Sequence, residues 1–136
     1  MSAESIRDAI IPELVSEWPD FICLNFANTD MVGHTGVFEA VVKAAETVDA
    51  CVKAVVETGL QHGYSFIIIA DHGNADYMVN NDGSPNTAHS TNLVPCIVID
   101  KDVTEVKDGK LGDIAPTVLH LLGVAIPEQM TGNVLV

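Results

Sequence analysis

Apolar residues recur at two different spacings along the chain, and these spacings divide it into helices and strands. Apolar side chains repeat every three or four residues in three segments, which we predict to be amphipathic helices: 3–18, 37–57 and 113–122. Ser2 is placed to cap the first helix, and Gly59 and Gly123 are placed to end the other two. Short continuous apolar runs, typical of buried strands, cover three further segments: 21–26, 66–70 and 94–100.

The alternation of helices and strands predicts an α/β fold. Strands that alternate with helices form a largely parallel sheet covered by helices on both faces, which gives a three-layer architecture. Three strands make a thin sheet for such a fold, so we expect this chain to be an incomplete part of a larger sheet. In open sheets of this kind, functional groups lie just beyond the carboxyl ends of the strands.

The charge balance excludes several classes of function. The 136 residues include 6 Lys+Arg and 19 Asp+Glu, which gives a net charge of -13. A chain so acidic lacks the basic surface that nucleic acid requires, and it is unsuited to an anionic membrane. Apolar residues make up 48% of the sequence, which argues against disorder. No run is long enough to span a bilayer and no secretory signal is recognisable, so we expect a single cytoplasmic domain.

Polar loops at the strand ends contain side chains of the type that binds metal ions. Asp30 and His34 follow the first predicted strand, Asp71 and His72 follow the second, and His89 lies shortly before the third. Asp30 and His34 are four residues apart, so one helical turn or a tight loop lets them share an ion. Carboxylate and imidazole together suit Mn, Zn or Fe(II), and suit Ca less well. No cysteine lies in these loops, which excludes a cysteine-type structural zinc site.

Each of these side chains has a simpler interpretation when it is considered alone. An Asp or His in a polar loop is usually only solvated, and we assign that role to Asp76. His62 follows a helix and is expected to have a helix-end or surface role rather than bind metal. His120 has helical spacing from its apolar neighbours and is predicted to be half-buried. The cysteines are predicted to be reduced core residues: Cys23, Cys51 and Cys96.

Several strings of this sequence resemble those of one enzyme family, the cofactor-independent phosphoglycerate mutases. The strings are NFANTDMVGHTG at 25–36, ADHGNAD at 70–76 and TAHSTNLVP at 87–95. Residues 113–119 also resemble a segment of the wider alkaline-phosphatase superfamily, and 130–132 resemble the usual C-terminal end of the mutases. The resemblance covers essentially the whole chain.

The resemblance implies an alkaline-phosphatase-like fold and a metal-dependent isomerase. The family interconverts 3-phosphoglycerate and 2-phosphoglycerate in glycolysis and gluconeogenesis, through a phosphoserine intermediate and in the cytoplasm. It uses two divalent ions, usually Mn²⁺, with Mg, Co or Zn as alternatives. Carried over by motif, Asp30, His34 and His89 are expected to hold the first ion, and Asp71 and His72 to contribute to the second.

The chain departs from the family in length. Family members are several times longer, and their nucleophilic serine lies near the N-terminus, outside anything matched here. We therefore expect residues 1–136 to be the C-terminal portion of the metal-binding phosphatase domain, without the nucleophile-bearing segment and the inserted transferase domain. Three hydroxyl residues near the predicted ligands in the sequence are not interpreted as nucleophiles: Thr35, Ser84 and Ser90. No residue of this chain is assigned to catalysis or to the binding of an organic cofactor.

Several expectations follow for the chain by itself. It is expected to have no catalytic activity and to bind one ion weakly or none. It is also expected to self-associate through an exposed sheet. The parent enzyme, in contrast, is expected to be a monomer that binds phosphoglycerate. Two alternatives remain open. One is another superfamily enzyme, a phosphopentomutase or a phosphohydrolase, although the 25–34 string favours the mutase. The other is a non-enzymatic metal-binding module.

Overall fold

The computed structural model describes residues 2–136 and has an α/β architecture, as predicted. The helices are α1 (Ala3–Ser16), α2 (Asn28–Gly33), α3 (Phe38–Gln61) and α4 (Ile114–Leu121), and the strands are β1 (Phe66–Ile69) and β2 (Cys96–Ile99). A 3-10 turn (Leu111–Asp113) leads into α4. The three predicted helices and two of the three predicted strands are therefore confirmed. The short helix α2 lies where the sequence suggested a polar loop.

The sheet differs from the prediction in direction. β1 and β2 are antiparallel, with Phe66 opposite Ile99 and Ile69 opposite Cys96, so the expected largely parallel sheet is wrong for these two strands. A parallel pair needs a crossover connection, which is usually a helix. The connection from β1 to β2 contains no helix, and it returns the chain alongside the strand that it left.

The third predicted strand, residues 21–26, does not join the sheet. Its side chains alternate between exposed and half-buried positions, which is the pattern of a strand with one covered face. Within residues 2–136, its backbone makes no hydrogen bond to another segment. The apolar pattern was interpreted correctly, but a strand also needs backbone hydrogen bonds to a neighbouring strand, and within residues 2–136 this segment forms none.

The core forms where α1 packs against α3. Ser2 caps α1 as predicted, because its hydroxyl accepts a hydrogen bond from the Ser5 amide. The buried apolar residues of these two helices are Ala3, Leu14, Val41, Cys51 and Val55. Of the cysteines that were predicted to lie in the core, only Cys51 is buried, and Cys23 is exposed. Among the described residues, no helix is both long and apolar enough to cross a membrane.

Gly59 does not end α3, contrary to the prediction. The helix continues to Gln61, and Gly63 adopts the left-handed conformation that ends it, with φ of 78°. Gly59 is buried instead, at the point where α3 meets β1. A Cβ atom at Gly59 would lie 2.3 Å from Cζ of Phe66, so the Phe66 ring occupies the space that a side chain at residue 59 would need. His62 caps the helix as expected, and its Nδ1 atom lies 2.9 Å from Oε1 of Glu17.

Helix α4 is anchored by a buried aspartate at its start. The carboxylate of Asp113 accepts hydrogen bonds from the Lys110 side chain at 2.8 Å, the Lys110 amide at 2.9 Å and the Asn133 amide at 2.8 Å. Asp113 therefore joins the turn before α4 to the C-terminal segment. Gly123 ends α4 with φ of 66°, as predicted. His120 is exposed rather than half-buried, because the helix turns it away from the core.

We expect Asp113→Asn to destabilise the fold at neutral pH and to lose this effect in acid. The Lys110 ammonium, the Asn133 amide and the Lys110 amide together lower the pKa of Asp113 from 3.8 to about 2. Because the folded pKa is the lower one, the carboxylate stabilises the fold above about pH 4, and this contribution disappears as the pH falls towards about 2. Urea unfolding of the 136-residue chain at pH 7 and at steps below pH 4 measures the difference.

Asp102→Asn is the matched control for this experiment. Asp102 also pairs with a lysine, Lys101, at 2.7 Å, but both side chains are exposed, so the substitution should change the free energy of unfolding little at any pH. An Asp113→Asn variant with wild-type stability at pH 7, or one whose deficit persists unchanged in acid, would contradict the assignment.

Candidate metal centre

Helix α2 brings the first two predicted ligands together. Asp30 lies on α2, and His34 lies at its C-terminal end, where the His34 amide donates to the Asp30 carbonyl oxygen. Residues four apart on a helix share a face. Accordingly, Nε2 of His34 lies 3.3 Å from Oδ1 of Asp30. The four-residue spacing in the sequence thus gives the expected proximity, through a helix that the sequence did not reveal.

The third predicted ligand, His89, lies in the loop before β2. Nε2 of His89 lies 3.2 Å from Oδ1 of Asp30 and 3.3 Å from Nε2 of His34. The donor atoms of these three residues all lie within 4.8 Å of one another. Ligands held about 2.0 to 2.2 Å from a single ion are spaced in this way, so the carboxylate and the two imidazoles fit a divalent transition metal.

The remaining two predicted ligands lie beside this cluster. Nε2 of His72 lies 3.9 Å from Oδ1 of Asp30 and 3.6 Å from Oδ1 of its neighbour Asp71. The ring of His72 stacks on the ring of His89, with centroids 3.7 Å apart and an interplanar angle of 19°. Asp71 is the most exposed member of the group, with 80% of its side chain accessible. All five predicted side chains therefore converge on one region of the surface.

A hydrogen bond to the backbone fixes the orientation of His34. Its Nδ1 atom lies 2.7 Å from the carbonyl oxygen of Thr87, and a carbonyl oxygen can only accept, so Nδ1 carries the hydrogen. In the neutral ring, Nε2 then presents its lone pair to the cluster. Supporting hydrogen bonds of this kind set the tautomer and the direction of metal-binding histidines.

Asn74 supports Asp30, and sequence reasoning missed it. Its side chain is buried, and Nδ2 donates to Oδ1 of Asp30 at 3.3 Å. Helix α2 accommodates Asn74 only because residue 33 is glycine: a Cβ atom there would lie 1.7 Å from Oδ1 of Asn74. No signal in the sequence distinguishes Asn74, because its partner lies 44 residues away along the chain.

Asp76 has two side-chain partners rather than the purely solvated role predicted for it. Its carboxylate accepts hydrogen bonds from the hydroxyl of Ser90 and the amide of Asn92. The Asn92 amide, followed by the Ser90 hydroxyl, lowers the pKa of Asp76 below its usual value. Asp76 is therefore a charged acceptor between two loops of the candidate site.

The charges around the cluster are negative or titratable. Throughout residues 2–136, every ion pair formed by Asp30 or Asp71 is with a histidine, and none is with a lysine or arginine. Two carboxylates without a permanent cation favour the binding of a positive ion. The three hydroxyls that were considered as nucleophiles donate hydrogen bonds to other groups: Thr35 to a backbone carbonyl, Ser84 to Asp82 and Ser90 to Asp76.

The α/β fold and its carboxylate–imidazole cluster, which helix α2 and two loops bring together, are typical of a metal-dependent enzyme. The chain belongs to the Metalloenzyme superfamily, whose family model matches residues 1–126.

Two similar proteins carry the name of the family that the sequence resembles. The chain is similar to the 2,3-bisphosphoglycerate-independent phosphoglycerate mutase of Flavobacterium johnsoniae, with 58% identity over 131 residues that cover 96% of this chain and 26% of the relative. The enzyme of the same name from Salinibacter ruber is 55% identical over 138 residues, which cover 100% of this chain and 26% of the relative. The resemblance inferred from the sequence is confirmed.

A solved structure shares the fold. A crystal structure of Leishmania mexicana phosphoglycerate mutase at low cobalt concentration matches with a TM-score of 0.87 and 28% sequence identity. The match covers 100% of this chain and 28% of that chain. The chain therefore spans about a quarter of the length of the relatives that it matches.

Proposed function

We propose that this chain is the metal-holding part of a longer phosphoglycerate mutase. The complete enzyme would interconvert 3-phosphoglycerate and 2-phosphoglycerate through a phosphoserine, in glycolysis and gluconeogenesis in the cytoplasm. The observation that carries the proposal is the convergence of Asp30, His34 and His89 within 4.8 Å, inside sequence that is 58% identical to a named mutase.

Asp30, His34 and His89 would hold one divalent ion, and Asp71 and His72 would contribute to a second. Bound there, such ions activate a hydroxyl nucleophile and offset the charge of a transferring phosphoryl group. Mn²⁺ is the proposed ion, and the same donors also suit Co²⁺ or Zn²⁺. The chain's own residues set the geometry: the Thr87 carbonyl orients His34, and the Asn74 amide orients Asp30.

The acidity of the chain indicates that other segments of the longer enzyme bind the phosphorylated substrate. With a net charge of -13, the chain repels a phosphorylated substrate. The bound ions would reduce this repulsion. We propose that segments of the longer enzyme supply the remaining cations that grip phosphoglycerate.

The sheet itself also indicates an incomplete domain. In the described part of the chain, β1 is paired only with β2, and residues 21–26 have strand-like burial but form no backbone hydrogen bonds to the sheet. An apolar cavity of about 520 Å³ opens between Phe21, Ile69 and the exposed side of α4. We propose that residues 1–136 are the C-terminal portion of a three-layer, alkaline-phosphatase-like domain whose remaining strands cover this region. Self-association of the isolated chain, measurable by size-exclusion chromatography, stays a prediction on the same grounds.

A chimera tests the proposed activity. The 136 residues replace the matching quarter of the Flavobacterium johnsoniae relative, and conversion of 3-phosphoglycerate to 2-phosphoglycerate is measured with Mn²⁺. We expect turnover from the chimera, loss of turnover in the His34→Ala chimera, and no turnover from the 136-residue chain alone. Turnover by the isolated chain would show that it carries its own nucleophile.

The same chimera separates the alternatives. A folded chimera that acts on pentose phosphates or on simple phosphate esters, and not on phosphoglycerate, would favour a phosphopentomutase or a phosphohydrolase. A folded chimera that binds Mn²⁺ and turns over none of these substrates would favour a non-enzymatic metal-binding module.

A further inference from the structure

Asp76 connects the two loops that carry His72 and His89. It lies four residues after His72, and its Oδ2 atom accepts hydrogen bonds from Oγ of Ser90 at 2.8 Å and from Nδ2 of Asn92 at 2.6 Å. Ser90 directly follows His89 in the chain. A single carboxylate therefore holds the loop after His89 against the loop after His72.

A backbone contact reinforces the same connection. The Ser90 amide donates to the Gly73 carbonyl oxygen at 2.8 Å, and these two residues form an isolated antiparallel bridge. A Cβ atom at Gly73 would lie 2.2 Å from Oγ of Ser90 and 2.7 Å from Oδ1 of Asp76. The two loops approach so closely that the residue at 73 has no room for a side chain.

The imidazole of His89 is held differently from that of His34. Within the described part of the chain, all hydrogen bonds, ion pairs and ring contacts of His89 are to Asp30, His34 and His72. His34 differs, because Thr87 holds its ring from outside the cluster. His89 has no such support, and its side chain is 49% exposed. Its neighbour in the chain, Ser90, is held from outside the cluster, by the Gly73 carbonyl oxygen and the Asp76 carboxylate.

We propose that Asp76 is a positioning residue that holds His89 in reach of the metal through Ser90 and Asn92. The inference rests on the proposed metal site, and it adds a residue that is neither a ligand nor in contact with one. A charged acceptor is suited to this role, because hydrogen bonds to a carboxylate are stronger than those between neutral groups.

The test measures binding of Co²⁺ alone to the 136-residue chain, by calorimetry and by the visible absorption of the bound ion. Supporting groups of metal ligands typically contribute about 10- to 100-fold in affinity, and since Asp76 acts through a neighbour we expect Asp76→Asn to weaken binding about tenfold. The cobalt spectrum should change as well, because the His89 imidazole is held less firmly against the ion. Asp82→Asn is the matched control: Asp82 also accepts two hydrogen bonds, both from Ser84, on a turn outside the cluster.

A double-mutant cycle separates positioning from a general effect on folding. If Asp76 acts through His89, Asp76→Asn should weaken Co²⁺ binding in the wild-type chain and have no further effect in a His89→Ala chain. An equal loss in both backgrounds, or an unchanged affinity and spectrum in Asp76→Asn, would overturn the proposal. Should Asp76→Asn not fold, Asn92→Ala removes the shorter of the two hydrogen bonds and is expected to act in the same direction, with an unchanged spectrum again counting against the proposal.

A measurement without metal distinguishes failure of this inference from failure of the metal site. Asp76→Asn should shift the NMR resonances of the His89 ring and leave those of the His62 ring, which pairs with Glu17, unchanged. An unmoved His89 ring would overturn the positioning role even if Co²⁺ binds. If the ring moves but the wild-type chain does not bind Co²⁺, the positioning of His89 holds and residues 1–136 do not form the proposed metal site by themselves.

Discussion

Replacing Asp30 with asparagine is expected to weaken the binding of a divalent ion by more than about 100-fold, since loss of a merely supporting group typically costs about 10- to 100-fold. Oδ1 of Asp30 is the atom on which the cluster converges, at 3.3 Å from His34 and 3.2 Å from His89. It also lies 3.9 Å from His72. An asparagine has the same size, but it removes the negative charge that pairs with the ion.

Calorimetric titration of Mn²⁺ into the wild-type and Asp30→Asn chains measures this change. Asp82→Asn is the control here too, because it removes one carboxylate and leaves the cluster intact. Wild-type heats from Asp30→Asn would show that the carboxylate is not a ligand. A similar loss in Asp82→Asn would show that total charge, rather than the cluster, governs binding.

Gly33→Ala is expected to destabilise the protein by about 1 to 3 kcal/mol, the usual cost of an added methyl group in a tightly packed position. The new Cβ would lie 1.7 Å from Oδ1 and 2.8 Å from Cγ of Asn74, so the whole amide would have to leave its buried position. The hydrogen bond from Asn74 to Asp30 would be lost with it. The expected loss of stability is opposite in sign to the intrinsic helix propensity, which favours alanine over glycine by about 1 kcal/mol.

Gly112→Ala provides the comparison for this substitution. The nearest atom to a Cβ at Gly112 is Cε of Lys110 at 4.0 Å, so the same exchange meets no obstacle there. Urea unfolding of both variants and titration with Mn²⁺ give the two readouts. We expect only Gly33→Ala to lose stability and metal affinity, and a Gly33→Ala chain as stable as the wild type would contradict the packing described for Asn74.

The sequence predicted the elements whose signal is long and local. Helix α3 repeats its apolar residues over 24 positions, and β1 is an uninterrupted apolar run, so both were found. Helix α2 has only six residues and no repeat, and it was not found. Strand direction is not a local property: the antiparallel pairing of β1 and β2 follows from the path of the loop between them, which the apolar pattern does not encode.

In the candidate site, too, the features that were predicted depend on neighbours in the sequence, and those that were missed depend on distant residues. The spacing of Asp30 and His34 was enough to predict that they could share an ion. His89 lies 55 residues from His34, and its assignment depended on resemblance to a family rather than on spacing. Asn74 and Asp76 were missed because their importance comes from partners that are distant in sequence, and hydrogen bonds between such residues leave no mark on the sequence.

The central claim is that Asp30, His34 and His89 bind one ion. Anomalous diffraction at the cobalt edge, from crystals of the 136-residue chain soaked in Co²⁺, measures this most directly. We predict an anomalous peak about 2.0 to 2.2 Å from Oδ1 of Asp30 and from Nε2 of both histidines, the range usual for such ligands. Well-ordered crystals at saturating Co²⁺ with no peak between these three atoms would contradict the account.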